Sequence, residues 1–279
     1  MMISNLGTKA EETFTKQQRW NDYPPEQHLS SSLLFARRMS HLREPASRAF
    51  LDGIAAVGLE RDSLPDLEQL NGNLEPITGW RALPVKGFLP ANAFFACLSV
   101  RRFPTTVTIR PLDSLDYVPE PDIFHDVFGH VPMHANSVFA EFLQRFGTVA
   151  SRASTESETA AVTRLFWFTV EFGLIEEEGR KKVYGSGLIS SHADCLNALG
   201  PNCAHEPFDL DRVIATDFRI RRPTAAAFRD SVSTIGLARG TFPRSRLHED
   251  LLPTSNDRAR MHARLQPVER VIEASFGTR

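Results

Sequence analysis

Cysteine is scarce in this chain of 279 residues: Cys97, Cys195 and Cys203 form no CxxC pair and cannot all be joined within one chain. That excludes a disulfide framework, argues against a structural zinc site and fits a reducing compartment. An excess of charge is also missing. Lys and Arg total 32 against 34 for Asp and Glu, and the basic residues are scattered, so there is no footprint for nucleic acid or an anionic membrane. No apolar run is long and unbroken enough to span a bilayer, and the start MMISNLGTKAEETFTKQQRW has no apolar signal segment. Repeats and low-complexity linkers are absent as well. With 42% hydrophobic residues a real core is affordable, so the expectation is a soluble, cytoplasmic globular protein.

The patterning predicts a mostly α fold with minor short strands, in the α+β class. Residues 1–28 are polar and read as a surface arm, and residues 29–279 as a single domain. Phe50, Leu51, Ile54 and Val57 recur at helical spacing before Gly58. The stretch LPDLEQLNGNLEPITGW reads as a short helix with a turn at Asn71-Gly72, and TTVTIR (105–110) as a short strand. Asn136 or Ser137 can cap a helix carrying Phe139, Phe142, Leu143 and Phe146 on one face. EEEGRKK (176–182) reads as a solvated hairpin turn leading into a strand-like VYGSGLI, and DRVIATDFRI and a helical AAAFRDSVSTIG follow.

One carboxylate stands out. Glu171 lies within LFWFTVEFGLI, among Phe166, Trp167, Phe168, Val170, Phe172, Leu174 and Ile175. Buried and alone it would cost several kcal/mol, so it needs a cation, a metal or a proton, unless it lies at the polar edge of an apolar helix. PEPDIFHDVFGHVP (119–132) offers a partner in His125 and His130. Two imidazoles and a carboxylate form the facial triad that holds non-haem Fe(II) with open positions for other ligands. Five residues turn an α-helix by about 500°, leaving the two rings about 140° apart. A ligand pair therefore predicts a bend or helix end, which Gly129 and Pro132 can supply. The remaining histidines have ordinary surroundings and are expected on the surface or satisfied in the core.

Three motifs in order, PEPDIFHDVFGHVP, FWFTVEFGLI and YGSGLISS, resemble the catalytic domain of the tetrahydropterin-dependent aromatic amino acid hydroxylases, over about residues 83–235. The resemblance implies that family's fold and chemistry: Fe(II), tetrahydrobiopterin or a related tetrahydropterin, O2 as co-substrate, and a small aromatic amino acid as the molecule hydroxylated. The phenylalanine 4-monooxygenase reaction is the closest match. Carried over by position, His125, His130 and Glu171 match the iron ligands. Arg110 matches the arginine that grips the substrate carboxylate and Asp122 the acid that holds it, as expected of a planar guanidinium. Trp167 and Phe172 match the ring pocket. Gly187, Ser190 and Ser191 match the segment closing around the substrate, with Ser190 supporting an iron-bound histidine. Gly87, Leu89 and Phe94 match the pterin loop, and Asp126 an acidic residue near the pterin.

Several positions depart from the pattern. Phe166 stands where tyrosine is common, Thr163 where a small alanine lines the pterin site, and His192 where an aromatic follows the two serines. Ala225, Ala226 and Ala227 replace bulky aromatics in an active-site loop. These changes bear on pterin fit and ring choice and leave the iron ligands alone. The resemblance covers neither a regulatory domain nor a tetramerisation helix, which implies a single catalytic domain and a monomer. Two rivals from other classes are a zinc hydrolase using the same three ligands and a non-catalytic binding protein retaining the fold. The first would need a base beside the metal; the intact ligand set and Arg110 speak against the second.

Overall fold

A computed structural model describes residues 13–59, 63–116 and 120–216, together with a few positions between 262 and 270. The AAAFRDSVSTIG stretch, which holds Ala225–Ala227, and the last four residues of DRVIATDFRI lie outside the described residues. The architecture is helical with two small sheets, as the patterning predicts.

The chain opens with contacts that tie the N-terminal segment down. The Trp20 indole donates to Leu64 O at 2.8 Å, the Tyr23 hydroxyl donates to Val107 O at 2.6 Å, and Thr15 bridges to Val85. From residue 13 onward the expected surface arm is therefore stitched to the body, and its first long helix, α1 (Pro25–Leu42), begins four residues early, with proline in the first turn. Helix α2 (Arg48–Ala56) follows, capped by the Ser47 hydroxyl. Helix α3 (Leu67–Thr78) starts on an Asp66 cap and runs through Asn71-Gly72, where a turn was expected. The reason is tertiary: the Asn71 side chain accepts from Ala82 N at 2.7 Å and donates to Ala82 O at 2.9 Å, so its polar groups are satisfied inside the helix.

Strand β1 (Arg81–Val85) pairs in parallel with β2 (Arg102–Thr106) across helix α4 (Ala91–Ser99). The predicted strand at 105–110 is thus displaced upstream. Pairing ends at Val85↔Thr106, and beyond it TTVTIR has no neighbour in the register. A π-helix over Phe124–His130 continues into α5 (Val131–His134). Asn136 caps α6 (Ser137–Ala150) by accepting from Val138 N and Phe139 N, as predicted. Helix α7 (Glu156–Phe166) passes directly into a second π-helix, Trp167–Glu171.

Strands β3 (Leu174–Glu177) and β4 (Arg180–Val183) form the expected hairpin, with Glu178 and Gly179 both at positive φ, the combination a tight two-residue hairpin turn requires. The strand-like VYGSGLI does not continue as a strand. A Cβ on Gly185 would lie 2.5 Å from Glu171 O and from Gly173 N, so the backbone crosses the second π-helix in contact and then coils into α8 (Ser186–Ser190). Helices α9 (His192–Leu199) and α10 (Leu210–Ala215) complete the described chain. The core runs continuously from Leu42, Phe50 and Leu74 through Trp80, Phe103, Val127 and Phe128 to Phe142, Phe146, Leu165 and Ile189. Among the described residues no helix is long and apolar enough to cross a membrane.

Candidate active site

The two π-helices carry the three residues singled out by sequence. A π-helix closes its hydrogen bonds five residues apart, so positions five apart return to one face. His125 and His130 therefore meet without the bend at Gly129 and Pro132 that an α-helical reading demands: their Nε2 atoms are 3.3 Å apart and their rings stand at 90°. In the second π-helix, Phe172 N donates to Trp167 O, the same five-residue register, and Glu171 ends it. Its carboxylate places Oε1 3.3 Å from His130 Nε2 and Oε2 3.6 Å from His125 Nε2. One ligand atom from each of the three residues lies within 4.8 Å of the others. No other group of three potential metal ligands gathers in this way among the described residues.

The protonation states suit a divalent cation. Burial pushes His125 below the ordinary imidazole value, which keeps it neutral. Burial pushes Glu171 up, but the charge and hydrogen bond of His130, the charge of His125 and the Ser186 hydroxyl outweigh it and bring the carboxyl down to about 2. The tautomer of His125 is also set. The Ser190 hydroxyl donates to Ser186 O at 2.8 Å, so toward His125 Nδ1, also 2.8 Å away, it has only lone pairs to offer. Nδ1 then carries the proton and the Nε2 lone pair faces the centre, the arrangement a metal-binding imidazole needs. Ser186 donates to Glu171 Oε2 at 2.7 Å and orients the carboxylate. The sequence reading anticipated Ser190 and missed Ser186, although it stands inside the quoted YGSGLISS.

Arg110 and Asp122 form a bidentate pair: Nε to Oδ2 is 2.7 Å and Nη2 to Oδ1 is 2.9 Å. The pair is almost fully enclosed and Arg110 lies over the Phe124 ring. Burial raises the Asp122 carboxyl, yet the hydrogen bonds and charge of Arg110 outweigh it and hold the group below the usual carboxylate range. Asp122 Oδ1 also accepts from His125 N at 3.1 Å, so one acid joins the arginine to the start of the first π-helix. Three of the five guanidinium N–H groups are used, the third on Leu115 O. Among the described residues one N–H on each Nη has no partner and is available to a carboxylate.

Around this centre the rings are arranged in contact. Trp167 and Phe172 lie 4.5 Å apart, and a Cβ on Gly187 would come within 2.9 Å of the Phe172 ring. Half-buried Phe94 meets Phe166 edge-on at 5.4 Å, and Phe166 lies nearly parallel to the His130 ring at 6.4 Å. Phe94 follows the loop that holds Gly87 and Leu89, both half-buried beside an exposed Phe88. Thr163 turns its hydroxyl back onto Thr159 O at 2.7 Å. Asp126 is buried, and its Oδ2 accepts from Thr106 N at 2.7 Å and Thr106 Oγ1 at 2.8 Å, tying the first π-helix to β2; burial raises its carboxyl pKa. Ser191 caps α9, accepting from Asp194 N.

One histidine contradicts the expectation of satisfied or exposed side chains. His134 is fully buried among Trp80, Phe103 and Phe139, and neither ring nitrogen has a partner among the described residues. Burial, reinforced by the charge of His130, drives its pKa well below the ordinary value, so the ring is neutral.

The arrangement agrees with what the chain is similar to. Residues 40–230 match the family model described as biopterin-dependent aromatic amino acid hydroxylase. A phenylalanine-4-hydroxylase of Caulobacter vibrioides is 40% identical over 208 residues, covering 74% of this chain and 71% of that one. The tyrosine 3-monooxygenase of Canis lupus familiaris is 42% identical over 154 residues, but these cover only 31% of that protein. Among solved structures, Chromobacterium violaceum phenylalanine hydroxylase with bound iron(III) and 7,8-dihydrobiopterin superposes with a TM-score of 0.76 at 29% identity, covering all of this chain and 96% of that one. With the family model spanning most of the chain and the two π-helices delivering two imidazoles and a carboxylate to one point, the chain belongs to the biopterin-dependent aromatic amino acid hydroxylase family.

Proposed function

We propose that this chain is a phenylalanine 4-monooxygenase, converting L-phenylalanine to L-tyrosine with Fe(II), a tetrahydropterin and O2. The observation that carries the reading is the convergence of His125, His130 and Glu171 beside a braced Arg110. The donor set fits iron: two imidazole nitrogens and one ionised carboxylate leave coordination positions open on the opposite face. His125, His130 and Glu171 would hold the metal. Bound iron and the reduced pterin together would supply the electrons that activate O2, placing one oxygen atom on the aromatic ring and the other on the pterin.

The chain's own residues bind, orient and exclude water. Arg110, held by Asp122, presents its free N–H pair to the amino-acid carboxylate, which fixes the substrate at one end. Trp167 and Phe172 bound the ring at the other end, with Gly187 leaving room beside Phe172. Phe94, with Gly87 and Leu89 before it, offers an aromatic face to the pterin, and Phe166 continues that wall to His130. Asp126 lies close by, its carboxylate engaged by Thr106, and Ser191 with Ser190 closes the segment around the substrate. The aromatic side chains around the centre, Trp167, Phe172, Phe94 and Phe166, would exclude water and confine the oxidation to the bound ring.

The same reading takes residues 29–279 as one catalytic domain and the working enzyme as a cytoplasmic monomer. Three unbridged cysteines fit the reducing cytoplasm. Sedimentation of the purified chain at micromolar concentration tests the assembly, and a stable tetramer contradicts it.

The deciding experiment incubates the Fe(II)-loaded protein with each aromatic amino acid, tetrahydropterin and O2, and identifies the product. Phenylalanine should yield para-tyrosine with matching pterin consumption. Faster hydroxylation of tyrosine or tryptophan, or a meta product, would overturn the substrate assignment and leave the iron site standing. Absence of pterin consumption above background with every aromatic amino acid would remove the enzyme reading.

A further inference from the structure

Helix α8, Ser186–Ser190, is five residues long and holds two of the three proposed metal ligands. Ser186 donates to Glu171 and Ser190 faces His125. A helix this short does not hold its own geometry, and its last carbonyls have no partner within the helix. Its first turn is fastened to the second π-helix, since Gly185 N donates to Gly173 O and Ser186 reaches Glu171.

The other end is fastened by a residue far away in sequence. Arg38 lies in α1, is 4% exposed, and directs its guanidinium at α8 and at the start of α9. Nε donates to Ile189 O at 2.8 Å, Nη2 to Leu188 O at 3.2 Å, and Nη1 to His192 Nδ1 at 3.2 Å. A positive charge at a helix C-terminus also opposes the partial negative charge of its carbonyls. His192, one of the positions that depart from the family pattern, is the third acceptor of this fork. A planar guanidinium fits three acceptors disposed this way, and an ammonium does not.

We propose that Arg38 is a positioning residue for the metal centre: by gripping the C-terminal carbonyls of α8 from α1, it sets the helix that holds Ser190 against His125 and Ser186 against Glu171. The inference rests on the reading of His125, His130 and Glu171 as metal ligands. It gives α1, which supplies none of those ligands, control over their orientation. Partners of metal ligands are commonly worth about 10–100-fold in metal affinity, and Arg38 acts one contact further out.

The test uses Co(II) as a visible stand-in for iron, bound to the full chain without pterin or substrate. Wild type should bind Co(II) with a d–d absorption band, and Glu171→Ala should lose it; if wild type shows no binding, the ligand reading itself fails. Given wild-type binding, Arg38→Met should weaken Co(II) affinity about tenfold and change the band, while circular dichroism remains folded. Combined with Ser190→Ala, the two losses should be markedly less than additive, because Arg38 acts through the helix that carries Ser190. Unchanged affinity and spectrum in folded Arg38→Met, or strictly additive losses, would overturn the proposal. Should Arg38→Met not fold, Arg38→Lys carries the same test, since one ammonium holds one carbonyl. Its affinity should fall about threefold and amide exchange over residues 186–191 should accelerate; no change in either overturns the proposal.

Discussion

Ser190 Oγ stands 2.8 Å from both His125 Nδ1 and Ser186 O, so a single hydroxyl accepts from the imidazole and donates to the backbone. That direction follows from proton counting: a hydroxyl with one hydrogen, spent on a carbonyl, can only accept from the ring. Replacing Ser190 by alanine frees the His125 ring to rotate and to exchange tautomers. Iron affinity should fall about 10–100-fold, with thermal stability changed little. Anaerobic Fe(II) titration checks this, and wild-type affinity in Ser190→Ala would show that the ring is oriented by something else.

The Arg110–Asp122 pair makes a separable prediction. Arg110→Ala removes a charge-assisted contact of roughly 1.5–3 kcal/mol to the proposed substrate carboxylate, so kcat/KM for phenylalanine should fall about ten- to a hundred-fold or more. Asp122→Asn should lower it too, and both variants should also destabilise the fold, because each leaves the other member of a buried ion pair uncompensated and Asp122 additionally accepts from His125 N. Steady-state kinetics beside thermal melts separate the loss of activity from the loss of stability. An unchanged Tm in either variant would contradict the buried pairing.

Acid should act through the metal ligands. The Glu171 carboxyl is held near 2 in the folded chain against an ordinary 4.5, so its stabilising contribution is full above pH 4.5 and is lost as pH falls toward 2. His125 is depressed below 6.5, so the unfolded chain takes up its proton first and stability begins to fall below pH 6.5. Both signs point the same way. In metal-free protein, the Tm advantage of wild type over Glu171→Gln should shrink between pH 5 and pH 3, windows set by the values just given. A gap constant across that range would show that Glu171 is not held low. Metal affinity should fall over the same acid limb, because protons compete for the ligand atoms.

His134 provides a stability prediction with no bearing on the ligands. A fully buried imidazole without a partner for either nitrogen is less favourable than an apolar side chain of similar bulk by about 1–3 kcal/mol. His134→Leu should therefore raise Tm by several degrees and flatten the loss of stability below pH 6.5. Differential scanning calorimetry decides it. A lowered Tm would mean that the ring has a bound partner, such as a buried water.

Local chemistry made much of this protein legible in its sequence. A carboxylate among aromatics demands a cation, and His125 and His130 are the imidazoles framed by a distinctive motif. An Asn136 cap and a hairpin turn at Glu178-Gly179 depend on residue type over short range, which the sequence carries in full, whereas the Arg110–Asp122 pair followed from the family resemblance alone. What the sequence leaves open depends on contacts made across the fold. Periodicity assumes α geometry, and a π-helix has no signal in the order of residues. Here α8 and β2 pack against the first π-helix, and the wider turn brings residues five apart to one side. Asn71 stays helical because Ala82 satisfies it, and β2 stops at Thr106 because β1 supplies no further partner. Arg38 and Ser186 read as ordinary polar residues until tertiary structure places their donors on the helix and carboxylate of the site. The residue types decide which chemistry is available, and only the folded backbone decides which donors and acceptors lie within 3 Å of one another, because that distance is set by the packing of segments separated by up to about 150 residues.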